Sequence, residues 1–153
     1  MRNIVLAFIL LSFCACAHYP VRAEFQTKIM KLRTKVLFDF DKDNIKQTGK
    51  PLLQDVATEL KKDPRAFLLL EGHTDSTGPK EYNEVLAENR ARAVSAYLLQ
   101  CGVSYRQLTL ISKGEREPED VRLTREAYRK NRRVEVYAQT KSKPKEKISR
   151  RKK

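Results

Sequence analysis

The stretch Ala66-Phe-Leu-Leu-Leu-Glu-Gly-His-Thr-Asp-Ser-Thr-Gly78, followed by Lys80-Glu-Tyr-Asn-Glu-Val-Leu-Ala-Glu-Asn-Arg-Ala-Arg-Ala-Val-Ser-Ala-Tyr-Leu-Leu-Gln100, sets the frame for the whole chain. Ala66 to Glu71 is a short apolar run and reads as a strand. Gly72 to Gly78 is a polar loop, and Lys80 to Gln100 is a long helix that Gly102 is placed to end. Upstream, Leu52, Leu53, Val56 and Leu60 recur at helical spacing within Thr48–Lys62, and Asp63-Pro64 stops that helix. Before it, Lys35-Val-Leu-Phe-Asp-Phe-Asp41 is rich in β-formers and predicts another strand. Downstream, Gln107–Ser112 reads as a strand, Thr124–Lys130 as a short helix and Arg133–Ala138 as an alternating strand. The order β-α-β-α-β-α-β predicts an α+β domain of two layers, with helices packed on one face of a small mixed sheet.

The chain has 153 residues, 41% hydrophobic and 33% charged, which suits one compact core and excludes a bundle of membrane spans. Its formal charge of +13 is unevenly placed, because residues 141–153 contribute +7 of it. Three cysteines cannot form a disulfide framework, and two histidines leave little room for a His-rich metal site. Cys101 is expected to lack a partner in the folded domain.

The first residues read as an address. Arg2, the apolar run Ile4–Phe13 and the small residues Cys14-Ala-Cys-Ala17 have the three parts of a secretory signal, and the run is too short to span a membrane. Ala15-Cys16-Ala17 is also an A-x-A cleavage site, which would release a soluble form. Phe13-Cys14-Ala15-Cys16 resembles a bacterial lipobox, although Phe13 and Cys14 fit its first two positions poorly. Acylation at Cys16 is the favoured reading, with Cys14 and cleavage after Ala17 as alternatives. The resulting organisation is a signal over 1–17, a tether over 18–34, a domain over 35–140 and a basic, disordered tail over 141–153.

On a helical wheel at about 100° per residue with Leu86 at zero, Tyr97 lies near 20°, Ala93 near 340° and Val94 near 80°. That arc predicts the core-facing stripe. Arg90 falls near 40°, in its middle, and Asn83 near 60°, while Arg92 faces solvent near 240°. A guanidinium on an apolar stripe must snorkel, find a buried partner or face a cleft. The preceding loop supplies an acid, Asp75, among glycines and hydroxyls that let donors converge. An acid and a forked cation at one cleft would suit a zwitterion, Asp75 taking an ammonium and Arg90 a carboxylate. The plainer roles are a turn or cap acid for Asp75 and a salt bridge for Arg90.

Glu71-Gly-His-Thr-Asp-Ser-Thr-Gly78, Tyr82-Asn83, Leu86, Arg90-Ala91 and Ala93-Val94 together resemble the signature of OmpA-like peptidoglycan-binding domains. Val36-Leu-Phe-Asp-Phe-Asp41 and Asn131-Arg-Arg-Val-Glu135 extend the resemblance, in family order, from about Val36 to Tyr137. The lipobox-like signal and Ala127-Tyr-Arg-Lys-Asn-Arg-Arg133 are most similar to the peptidoglycan-associated lipoprotein branch, which works in the Tol–Pal system. The resemblance implies an OmpA C-terminal-like fold and non-covalent, non-enzymatic binding of the diaminopimelate-type stem peptide of peptidoglycan. It implies that Asp75 and Arg90 hold the ammonium and carboxylate of the diaminopimelate side chain. Thr77, Asn83, Asp41 and Arg132 match positions lining the same pocket. It further implies a periplasmic place at the outer membrane, an outer-membrane-to-wall link, Tol-type periplasmic partners, and no cofactor. Two features depart from the family: Ile111-Ser-Lys-Gly114 replaces the usual Gly-Tyr-Gly after the third strand, and the loop Glu115–Arg122 is unusually charged. Replacing Asp75 or Arg90 is expected to weaken binding severely and leave folding intact.

Other chemistries fit less well. His73 and Asp75 lack a nearby nucleophile with an orienting third group, so His73 reads as a loop histidine with a structural hydrogen bond. Asp39, Asp41 and Asp43 mimic the start of a calcium loop, but Asn44 and Lys50 occupy the positions where Gly and Glu are needed. No glycine loop able to cradle phosphate exists among five glycines. The tail can bind polyanions, but no aromatic interleaves it, which argues against nucleic acid. The alternative function is therefore a basic periplasmic interaction protein, binding an anionic surface or a protein through that tail.

Overall fold

The computed structural model describes residues 32–140. The signal over 1–17, Cys14 and Cys16, most of the tether and the tail over 141–153 lie outside the described residues. Four strands, β1 (Arg33–Leu37), β2 (Ala66–His73), β3 (Leu108–Gly114) and β4 (Arg133–Thr140), form one sheet in the order β1-β4-β2-β3. β4 runs antiparallel to both β1 and β2, whereas β3 is parallel to β2. Three α-helices, α1 (Lys50–Leu60), α2 (Lys80–Gln100) and α3 (Arg125–Asn131), complete the described fold, with single 3-10 turns at Gln47–Gly49 and Tyr105–Gln107. This is the expected α+β architecture. β1 begins within the segment read as tether.

Alternation decides which side of the sheet is dry. Val36, Leu68, Leu70, Val134 and Val136 point to one face and are fully buried against Leu53, Val56 and Leu60 of α1 and Ala91, Val94 and Leu98 of α2. The opposite face carries Glu135, buried, which accepts hydrogen bonds from Arg33 (2.8 Å), Arg133 (2.7 Å) and the Tyr137 hydroxyl. Burial alone would raise its pKa, but these three donors outweigh that and hold the carboxyl down at about 2.

Two expectations change. The first strand ends at Leu37 and not at Asp41. Phe38 still donates to the Arg132 carbonyl (2.9 Å), but beyond it the chain turns, and Asp41 takes a left-handed φ of 54°. Here side chains take the carbonyls that would have continued the ladder, Arg132 that of Phe38 (3.3 Å) and Arg90 that of Asp39 (3.2 Å). The α2 stripe is also rotated. Its buried residues are Asn83, Ala87, Arg90, Ala91, Val94 and Leu98, centred near 90° on the same wheel, while Leu86, Ala93 and Tyr97 are only half-buried. The cause is Gly72, where a Cβ would lie 2.0 Å from the Ala87 carbonyl oxygen. The helix presents its alanines to the sheet because backbone meets backbone there, leaving the bulkier side chains on the flank.

The charged loop after β3 is folded onto the domain. Glu115 accepts from Asn83 (2.7 Å), Arg116 pairs with Glu84, and Glu119 accepts from Lys35 (2.5 Å). Asn131 holds its middle, accepting from the amides of Glu119 (2.9 Å) and Asp120 (3.0 Å) and donating to the Asp120 carbonyl (2.8 Å). Thr124 then caps α3 by accepting from the Ala127 amide (3.2 Å).

Candidate functional site

A hollow of about 310 Å³ opens where the β2–α2 loop, the first turns of α2 and the loop after β1 converge. The structure brings all six residues singled out in the sequence to its wall: Asp41, Asp75, Thr77, Asn83, Arg90 and Arg132. Three more line it that sequence reasoning left without a role: Phe40, Thr74 and Tyr82. Tyr82 and Phe40 are large, exposed aromatics at 50% and 58%, and the Tyr82 hydroxyl donates to Asp41. Both belong to the family-like motifs, next to Asn83 and Asp41, and that was the available signal. Thr74 is 2% exposed and its hydroxyl has no hydrogen-bond partner among the described residues.

Asp75 and Arg90 share the hollow without pairing. Asp75 accepts from Arg132 Nη1 (2.8 Å) and from the Thr77 amide (3.1 Å), the second bond closing a small turn that fixes the carboxylate. Arg90 is fully buried, and Nε, Nη1 and Nη2 donate to the carbonyls of Lys42 (2.8 Å), His73 (2.9 Å) and Asp39 (3.2 Å). Its guanidinium also lies 5.4 Å from the Phe38 ring. Burial brings its pKa down to about 10, opposed by Asp75, Asp43 and Asp41, so it stays charged at neutral pH. Three of the five N–H donors of an arginine are therefore committed to backbone. Arg90 joins the loop after β1 to the end of β2, which argues against the expectation that it can be replaced without loss of folding.

His73 is likewise not the loop residue expected. It is the last residue of β2, buried, with neither ring nitrogen hydrogen-bonded. Burial, with Arg133 adding to it against the pull of Glu135 and Glu117, lowers the imidazole pKa to about 4. The unfolded chain protonates near 6.5 and the folded chain only near 4, so stability is complete above the first value and is lost on acidification toward the second. Urea unfolding is expected to show a loss of about 2 kcal/mol between pH 7 and pH 5 that His73→Gln removes. A parent whose stability is flat across that interval would show that His73 is not held neutral.

A second and larger space adjoins the hollow, a trough of about 1070 Å³ between the loop after β1 and α3. Phe40, Asp75, Thr77 and Arg132 border both.

An acid fixed by a turn, two guanidiniums and an unpartnered hydroxyl surround a small hollow on a two-layer α+β domain, a set of groups able to pair with charges of either sign. The chain belongs to the OmpA family, whose family model matches residues 37–133. It is 34% identical over 127 residues to Outer membrane protein A of Bordetella avium, covering 79% of this chain and 66% of that protein. It is 39% identical over 103 residues to the peptidoglycan-associated lipoprotein of Pseudomonas aeruginosa, covering 67% of this chain and 61% of that one. The chain thus spans a little under two thirds of the length of these curated relatives. Among solved structures, the peptidoglycan-associated lipoprotein from Burkholderia pseudomallei superposes with a TM-score of 0.68 at 34% identity, over 69% of this chain and 89% of that one.

Proposed function

We propose that the hollow grips the stem peptide of peptidoglycan through its diaminopimelate residue, without chemistry on it, and that the chain ties the outer membrane to the wall. The observation that carries this is the convergence of Asp75, Arg90 and Arg132 on one hollow that also holds an unpartnered Thr74 hydroxyl. In this reading Asp75 takes the ammonium. The carboxylate lies toward Arg90, a fixed positive charge in the floor, and Arg132, whose side chain is 13% exposed and can turn to meet it. Thr77, Asn83 and Asp41 complete the wall. The names of the relatives support peptidoglycan as the ligand, and the signal-like start with Cys16 supports a lipid anchor on the periplasmic face of the outer membrane. Diaminopimelate as the gripped residue and Tol-type periplasmic proteins as partners rest on the resemblance of the sequence motifs.

Binding to isolated sacculi tests it. Asp75→Asn is expected to weaken binding about a hundredfold, since it strands the ligand's ammonium beside a neutral group. Free diaminopimelate should compete, and removal of residues 141–153 should leave binding in place. A variant that pulls down sacculi as well as the parent would refute the assignment. Loss on removing the tail alone, abolished by salt in the parent, would favour the polyanion-binding alternative.

A further inference from the structure

The trough beside the hollow has an uneven charge inventory. Each of its three acids is already answered by a cation: Asp39 by Lys46 (2.5 Å), Asp75 by Arg132 (2.8 Å) and Glu126 by Arg129 (3.7 Å). Two of its cations are not. Lys42, from the loop after β1, and Arg125, from the first turn of α3, line the trough and make no ion pair or side-chain hydrogen bond among the described residues. One stands on each wall, and both are exposed. The trough shares a wall with the hollow, so a peptide whose head group occupies the hollow can continue across Phe40 and Thr77 into this space.

Two unanswered positive charges, one from each of the two elements that border the trough, call for an extended ligand bearing negative charge on either side of its backbone. We propose that the trough is a second subsite, in which Lys42 and Arg125 receive carboxylates of the same peptide whose amino-acid head sits in the hollow. Carboxylates fit better than phosphates here, because the acids Asp39 and Glu126 remain on the rim and would repel a doubly charged group more strongly. The inference rests on the proposed reading of the hollow, and it assigns the trough a separate task. The hollow recognises what the residue is, and the trough recognises that it lies within an acidic peptide.

The two cations suit a clean test because neither side chain makes a described contact that supports the fold, and Lys42→Ala keeps the backbone carbonyl that Arg90 holds. Calorimetric titration compares free diaminopimelate, a diaminopimelate-containing stem peptide with its carboxylates free, and the same peptide with its flanking carboxylates amidated. The parent should bind the free-acid peptide about tenfold more tightly than the amidated one, a margin that shrinks with salt because these charges are exposed. Lys42→Ala with Arg125→Ala should erase that preference while binding diaminopimelate as the parent does. If the double variant still prefers the free-acid peptide, or the parent shows no preference, the second subsite is wrong and the hollow stands. If the parent binds neither diaminopimelate nor either peptide, the reading of the hollow fails and this inference falls with it. Inorganic phosphate competing for the free-acid peptide more strongly than acetate at equal ionic strength would also overturn the assignment to carboxylates.

Discussion

Arg90→Leu is expected to destabilise the domain by roughly 3–5 kcal/mol, a large share of the ~5–15 kcal/mol that holds a domain of this size together. Leucine keeps apolar bulk in the core but donates nothing. The carbonyls of Lys42, His73 and Asp39 lose the guanidinium that joins them, leaving Asp39 only the Lys42 amide (3.3 Å), and the His73 carbonyl lies at the buried end of β2. Each stranded acceptor costs ~1–3 kcal/mol unless water reaches it. The loop after β1 is free to let water in, so part of the cost will be relieved there and the hollow will lose its shape. Arg90→Lys should recover less than half, because a single ammonium cannot reach three carbonyls spread around a planar fork. Chemical denaturation reads the result as a fall in midpoint at unchanged slope. A loss under ~1 kcal/mol for leucine would mean that the three bonds do not hold the loop. The consequence for function is practical: diminished sacculus binding by an Arg90 variant does not by itself establish contact with ligand, and Asp75→Asn is the more informative substitution.

Gly72→Ala is expected to cost at least ~3 kcal/mol, at the upper end for an overpacked core. The added Cβ would lie 2.0 Å from the Ala87 carbonyl oxygen and 2.8 Å from its carbon. Both are helix backbone, so no side-chain rotation relieves the clash, and α2 must lift off β2. Arg90 lies one turn along α2 from Ala87, so the lift would also pull the guanidinium away from its three carbonyls. Loss of stability and loss of ligand binding should therefore appear together in this variant. Gly78→Ala is a useful contrast: its φ of 98° is strained for alanine, but no atom lies within 4 Å of the added methyl. It should cost about 1 kcal/mol and leave the β2–α2 packing alone. If Gly72→Ala unfolds no more readily than Gly78→Ala, the close approach of helix and sheet is not what that glycine serves.

Much of this architecture could be read one residue at a time. The helix over Lys80–Gln100 was legible to its ends because periodicity and the terminating Gly102, at φ 85°, are local signals. The short helix after Thr124 was legible for the same reason, its cap being a side chain three residues from the amide it serves. The end of β1 was not. Val36 to Phe40 has the composition of a strand, and nothing nearby says that arginines some fifty and ninety residues on will take the carbonyls of Asp39 and Phe38. The buried face of α2 was misread by most of a right angle, since hydrophobicity ranks Leu86 and Tyr97 above alanine, whereas the contact with Gly72 selects for smallness. Asp75 and Arg90 were singled out by loop composition and helical spacing, the other four site residues by the motifs, and one hollow does contain all six. Their pairing was not in the motif: Asp75 turned to Arg132, and Arg90 turned to backbone.

Residue order alone thus settles the succession of strands and helices, the family, and which ionic side chains crowd one end of the sheet, because spacing, capping and composition act over a few neighbouring residues. Packing alone settles which cation neutralises which acid, where the first strand lets go, and that a trough with two unanswered charges lies beside the hollow. The decisive ones depend on groups far apart in the chain, Asp75 with Arg132 and Arg90 with the loop after β1, and they are decided only when the helix has come down onto the sheet.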